Sequence, residues 1–148
     1  MSAEPCFVDT NVLVYARDAS ESRKQPLASA WIEMLWERRL GRLSFQVLAE
    51  FYVTVTQKLD PGLTREDARA ELRDLMAWRP AAIDATVMDR AFAIQDRFRL
   101  SWWDAQIVAA AQVLGCRYLL SEDLASGQRF DGLEVVDPFR RPPDAVLA

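Results

Sequence analysis

The segment Cys6-Phe7-Val8-Asp9-Thr10-Asn11-Val12-Leu13-Val14-Tyr15 constrains this chain more than any other: an apolar run ends on a carboxylate and passes at once into a helix-like apolar pattern. Cys, Phe and Val in succession are what a strand buried on both faces contains. An ionised Asp at the end of such a strand is costly unless it is paired, hydrogen-bonded or bound to a cation. Asp9 is therefore read as half of a metal site whose other ligands must come from elsewhere in the chain.

Downstream, strand-like and helix-like patterns alternate. A short helix begins at residues 12–16 and gives way to a polar loop over 17–24. Pro26 suits the first turn of an amphipathic helix that Gly41 stops, and residues 42–44 read as a second strand. Residues 46–58 form a helix with Val47, Leu48, Phe51, Tyr52 and Val55 on one broad face, ended by Pro61-Gly62. Thr64 starts a helix that runs to about residue 77, residues 79–83 are a weak strand, and 86–98 is another helix. Ser101 caps a helix from Trp102 to Gly115, and the strand runs 118–120 and 133–136 follow. The fold class expected is α/β, a single domain over residues 1–148. It has a mostly parallel central sheet of about four or five strands flanked by helices as an α/β/α sandwich, with residues 140–148 as a loosely held tail.

Composition narrows the chemistry. The chain has no histidine, which removes Ser-His-Asp and Cys-His catalysis and every His-ligated metal site. Catalysis must then rest on carboxylates. Cys6 and Cys116 stand far apart at the starts of apolar runs, in neither a disulfide framework nor zinc-ligand spacing, and read as buried free thiols. With 18 Lys and Arg against 22 Asp and Glu, the formal charge of -4 does not advertise a nucleic-acid binder, so cations or local patches would have to offset that field. No apolar run approaches the ~18 residues of a membrane span, and Met1-Ser2-Ala3-Glu4-Pro5 has no signal-peptide character. A cytoplasmic location without membrane partners is the expectation.

In open α/β sheets, sites form at the carboxyl ends of strands. Four acids fall there: Asp9 after the first strand, Glu50 in the helix after the second, Asp104 in the first turn of the helix before Tyr118, and Asp123 after the strand 118–120. Each has a plainer reading. Ser101-x-x-Asp104 fits a capping box, with Asp104 complementing the helix dipole. Glu50 lies at the margin of an apolar face and suits a half-exposed surface. Asp123 fits a turn, and Glu122 competes with it for any role. Taken together, carboxylates brought within a few ångströms repel one another, whereas Mg²⁺ or Mn²⁺ converts that repulsion into binding. Such a site activates water and neutralises a phosphodiester, which needs no histidine.

The segments Phe7-Val8-Asp9-Thr10-Asn11-Val12-Leu13-Val14-Tyr15, Val47-Leu48-Ala49-Glu50-Phe51-Tyr52, Trp103-Asp104-Ala105-Gln106-Ile107-Val108-Ala109-Ala110-Ala111 and Leu119-Leu120-Ser121-Glu122-Asp123-Leu124 together resemble, in order and spacing, the PIN-domain nucleases. The likeness runs from the first strand to Val135-Val136-Asp137-Pro138-Phe139 and is greatest to the VapC-type toxins of bacterial toxin–antitoxin pairs. The resemblance implies that Asp9, Glu50, Asp104 and Asp123 form an acidic quartet for Mg²⁺ or Mn²⁺, with Thr10, Asn11 and Ser121 as supporting polar residues. It further implies a metal-dependent endoribonuclease that cleaves transfer or other structured RNA, leaving a 5′-phosphate and a 3′-hydroxyl. A homodimer and an antitoxin partner whose C-terminal segment fills the active-site groove are implied as well.

Two rivals are weighed against this. A haloacid-dehalogenase-like phosphatase also ends its first strand on Asp but needs a second acid two residues on, where this chain has Asn11. A non-catalytic RNA- or protein-binding module on the same fold has the net negative charge in its favour and the intact acids against it. Arg17, Arg23, Lys24, Arg38, Arg39 and Arg42 form either an RNA-facing patch or a solvated helix face. Trp102 and Trp103 are candidates for base stacking, and Trp31, Trp36, Phe51 and Tyr52 for an interface.

Overall fold

The computed structural model describes residues 4–147. Three-residue β1 (Cys6–Val8) leads into helix α1 (Thr10–Tyr15), and α2 (Lys24–Arg38) returns the chain to β2 (Gly41–Arg42). Helix α3 (Phe45–Val53) continues as a π-helical turn, Thr54–Lys58, and is followed by α4 (Arg65–Leu75) and a 3₁₀ turn, Met76–Trp78. Helices α5 (Ala85–Phe98) and α6 (Trp102–Val113) precede β3 (Tyr118–Leu120), β4 (Arg129–Phe130), β5 (Leu133–Val136) and α7 (Pro143–Val146). The five strands form one sheet in the order β2-β1-β3-β5-β4, parallel throughout except for β4 against β5. The chain is thus an α/β sandwich around a mostly parallel sheet.

Burial on both faces accounts for the apolar strand sequences. Cys6, Phe7, Val8, Leu119, Leu120, Val135 and Val136 are buried, and large apolar side chains of this kind each contribute about 1.5–3 kcal/mol. Cys6 and Cys116 are free and buried, and burial pushes both thiols up to about 12, so neither is a ready nucleophile. Register places Val8 opposite Leu120 and Leu120 opposite Val136. The carboxyl ends of β1, β3 and β5 therefore finish at one edge of the sheet, where Asp9 and Ser121 begin.

The helix starts follow their capping chemistry. Ser44, Thr64, Asp84 and Ser101 each accept a hydrogen bond from a backbone N–H three residues on. Several boundaries differ from the sequence reading. Gly41 lies in β2, and α2 ends instead on Arg39 in a left-handed conformation, φ 57°. The second strand is Gly41–Arg42, and the weak strand at 79–83 reduces to one bridge, Ala81 to Ser44. Trp31 and Phe51, proposed for an interface, are fully buried core residues.

The tail is the clearest correction. Residues 143–146 form α7, Leu147 is buried, and Arg38 donates to the Leu147 carbonyl at 2.6 Å. The buried Trp31 indole N–H donates to the Pro138 carbonyl at 3.2 Å and the Arg141 carbonyl at 2.9 Å. A buried indole nitrogen needs an acceptor, and the chain after β5 supplies it. Among the described residues no helix is long and apolar enough to cross a membrane.

Candidate active site

Four distant segments meet at the carboxyl edge of the sheet. Asp9 follows β1 and is held there by its backbone N–H, which donates to the Leu120 carbonyl at 3.0 Å. Its side chain is 6% exposed and caps α1: one oxygen accepts from the Thr10 N–H at 2.7 Å, the other from the Ser121 hydroxyl at 2.8 Å. Burial, with the charges of Asp123 and Glu50 adding to it, pushes the Asp9 carboxyl up to about 6 despite those two hydrogen bonds. A carboxylate so placed is poised to accept a positive charge.

Glu50 and Asp123 are joined to Asp9 through neutral polar side chains. Thr10, whose N–H holds Asp9, donates its hydroxyl to Glu50 at 2.8 Å. Asn11 donates to Asp123 at 3.0 Å and reaches Asp9 at 3.5 Å, so the two carboxylates share one amide. Gln46 bridges Glu50, at 3.0 Å, to the Trp103 carbonyl, at 3.5 Å, beside Asp104. Asp104, half-buried at the start of α6, has its carboxyl held above the ordinary range. Burial is the main cause, with the charges of Asp123 and Glu50 adding and the Ser101 hydroxyl opposing. The Asp104 N–H donates to Ser101 at 3.1 Å, so capping and membership of the acidic cluster coexist at this residue.

Glu122 is drawn out of the cluster. Lys24, the first residue of α2, forms an ion pair with it and stands 4.8 Å from the Tyr15 ring and 5.2 Å from the Phe139 ring. Burial acts to raise the Glu122 carboxyl, but hydrogen bonds from Lys24 and Tyr15 outweigh it and hold the group below the usual range. The Glu122 N–H donates to the Asn11 amide oxygen at 3.3 Å, and the Asp123 N–H to Ser121 at 3.2 Å. The loop is thus tethered on both sides, with Glu122 turned to Lys24 and Asp123 to Asn11.

The residues singled out from sequence, Asp9, Thr10, Asn11, Glu50, Asp104, Ser121 and Asp123, are brought together. Gln46 and Tyr15 were missed, and Lys24, read as part of a basic patch, instead holds Glu122. Gln46 carried a signal, since it lies four residues before Glu50 on the same helix face. Four of the six cations of the candidate basic patch are engaged within the fold: Arg17 pairs with Glu71, Lys24 with Glu122, Arg38 with the Leu147 carbonyl and Arg42 with the Arg39 and Gly41 carbonyls.

The donor set suits a hard cation in chemistry. It offers carboxylate oxygens and no sulfur or nitrogen, and the buried Gln46 amide oxygen beside Glu50 has no partner among the described residues. Among those residues no three acids already converge on one point. Neutral donors hold them instead: Ser121 and the Thr10 N–H on Asp9, Thr10 and Gln46 on Glu50, and Asn11 on Asp123.

The family model of the PIN domain matches residues 6–129, from β1 through the start of β4. The chain belongs to the PIN domain family. The matched span includes all four carboxylates and their polar bridges. A search of curated proteins finds none that matches. Solved structures share this PIN fold at low sequence identity. A toxin-antitoxin complex from Klebsiella pneumoniae is 20% identical, with a TM-score of 0.65 over 90% of this chain and 97% of that one. Mycobacterium tuberculosis VapC20, a Sarcin-Ricin loop cleaving toxin, is 22% identical, with a TM-score of 0.61 over 80% of this chain and 91% of that one. FitAcB from Neisseria gonorrhoeae is 17% identical, with a TM-score of 0.63 over 92% and 99%.

Proposed function

We propose that this PIN domain is a metal-dependent endoribonuclease, the toxin of a VapC-type toxin–antitoxin pair. The observation that carries the reading is the linkage of Asp9, Glu50 and Asp123, from three separate segments, by Thr10, Asn11 and Ser121, with Asp104 following Trp103, whose carbonyl Gln46 ties to Glu50. Asp9, Glu50, Asp104 and Asp123 would hold Mg²⁺ or Mn²⁺. When bound, such an ion offsets phosphodiester charge and makes water a better nucleophile. Ser121 and the Thr10 N–H keep Asp9 oriented, Thr10 and Gln46 do the same for Glu50, and Asn11 spaces Asp123 from Asp9. Asn11 also stands where a phosphatase of the haloacid-dehalogenase kind would need its second acid.

RNA as substrate and an antitoxin as partner are supported by the neighbour solved as a toxin–antitoxin complex and by VapC20, a Sarcin-Ricin loop cleaving toxin. Assembly as a homodimer is part of the same proposal, and α5 and α6 leave Met88, Phe92 and Val113 exposed for a second copy.

The reading assigns the fourth ligand to Asp123 and a positioning role to Glu122. Asp123→Asn is expected to lower the Mg²⁺-dependent cleavage rate on single-stranded or transfer RNA by about 10²-fold or more, on the scale of a lost transition-state charge contact. Glu122→Gln leaves Asn11 and Ser121 in place and is expected to cost within about tenfold. A larger loss in Glu122→Gln than in Asp123→Asn would reverse the assignment. No cleavage by the wild type across several RNAs would favour a binding module.

A further inference from the structure

An open cleft of about 460 Å³ runs from the acidic cluster along α3, lined by Thr10, Ala49, Glu50, Val53, Thr54 and Lys58. Its near end consists of two residues of the candidate site. At its far end stands Lys58, exposed and without an ion-pair partner among the described residues. By contrast, Lys24 and Arg17 on the neighbouring elements are engaged by acids.

The helix geometry sets this placement. Four residues in an α-helix overshoot one turn. Four residues in a π turn, closed here by the Leu59 N–H on the Thr54 carbonyl at 3.0 Å, undershoot it. The two rotations offset each other between Glu50, Thr54 and Lys58, so Lys58 comes back over Glu50. The separation along the axis is roughly 12 Å, eight residues at the helical rise. A lysine stem shortens the gap to the cluster further.

We propose that Lys58, with the Thr54 hydroxyl, forms a phosphate-binding subsite for the single-stranded RNA backbone flanking the scissile bond. Nucleic acid must reach four carboxylates on a chain of net charge -4, and an unpaired ammonium at the end of the same cleft supplies the local attraction. Ala49 and Val53 leave the lining between the two ends small and apolar, which suits a sugar–phosphate strand lying along it. The inference rests on the ribonuclease reading for the identity of the ligand.

The test measures cleavage of a fluorescent single-stranded RNA by wild type, Lys58→Ala and Lys58→Arg over a range of KCl concentrations, with anisotropy binding of the same RNA to each protein in chelator. Lys58→Ala is expected to weaken binding and raise KM by about fivefold and to reduce the salt slope by about one. Lys58→Arg is expected to restore both, and melting curves of the three proteins are expected to coincide. Equal affinity and equal salt slope in Lys58→Ala, with a cleaving wild type, would overturn the subsite and leave Lys58 to solvent or to a protein partner. A wild type that binds RNA through Lys58 but does not cleave would support the subsite and sink the nuclease reading instead.

Discussion

Asp9→Asn is expected to lose cleavage by about 10³-fold or more while making the metal-free protein more stable at neutral pH. The first effect follows from removing the buried carboxylate to which Glu50 and Asp123 are linked through Thr10 and Asn11, on the scale of a principal electrostatic contact. The second follows from burial. The Asp9 carboxyl titrates at about 6 in the folded protein, against an ordinary value of 3.8. Because its folded value is raised, the native state holds the proton more tightly than the unfolded chain, and stability falls as pH rises through this window. The cost is absent below about pH 4 and levels off above about pH 6, where it amounts to about 3 kcal/mol. Thermal melts in chelator of wild type and Asp9→Asn would therefore coincide near pH 4 and diverge by pH 7, with the variant higher. A variant that melts lower than wild type at pH 7 would mean that the caps to Thr10 and Ser121 depend on a full negative charge.

The largest effect on stability is expected at Trp31. Trp31→Ala should cost about 3–5 kcal/mol, since the side chain is fully buried and its removal leaves a cavity. It also leaves the Pro138 and Arg141 carbonyls without their donor. Trp31→Phe keeps most of the apolar volume and should cost about 1–3 kcal/mol, mainly through those carbonyls. Denaturant unfolding separates the two, and limited proteolysis should cut the segment after β5 faster in both. Equal stability of Trp31→Phe and wild type would show that the indole hydrogen bonds do not hold the C-terminal segment.

Trp31 also shows where the sequence stops being informative. The apolar runs at residues 6–8, 118–120 and 133–136 announce strands buried on both faces, and Ser101 announces α6, because local composition decides such features. The anchoring of the segment between β5 and α7 depends on an indole more than 100 residues away in sequence, which no local pattern encodes. β4 has only two residues and forms by pairing with β5, so it has no period to read. The carboxylates were legible one at a time, each with an ordinary explanation. What joins them, the Thr10 hydroxyl on Glu50 and the Asn11 amide on Asp123, is a property of the folded edge. Glu122 and Asp123 are adjacent and chemically alike, and only the position of Lys24 separates their roles.

The measurement that bears most directly on the account is cleavage of RNA by the purified wild type in chelator, followed by add-back of Mg²⁺ or Mn²⁺. A metal-dependent carboxylate site predicts no cleavage in chelator, recovery with either ion, and no recovery in Asp9→Asn. Cleavage that persists in chelator, or in Asp9→Asn, would contradict it.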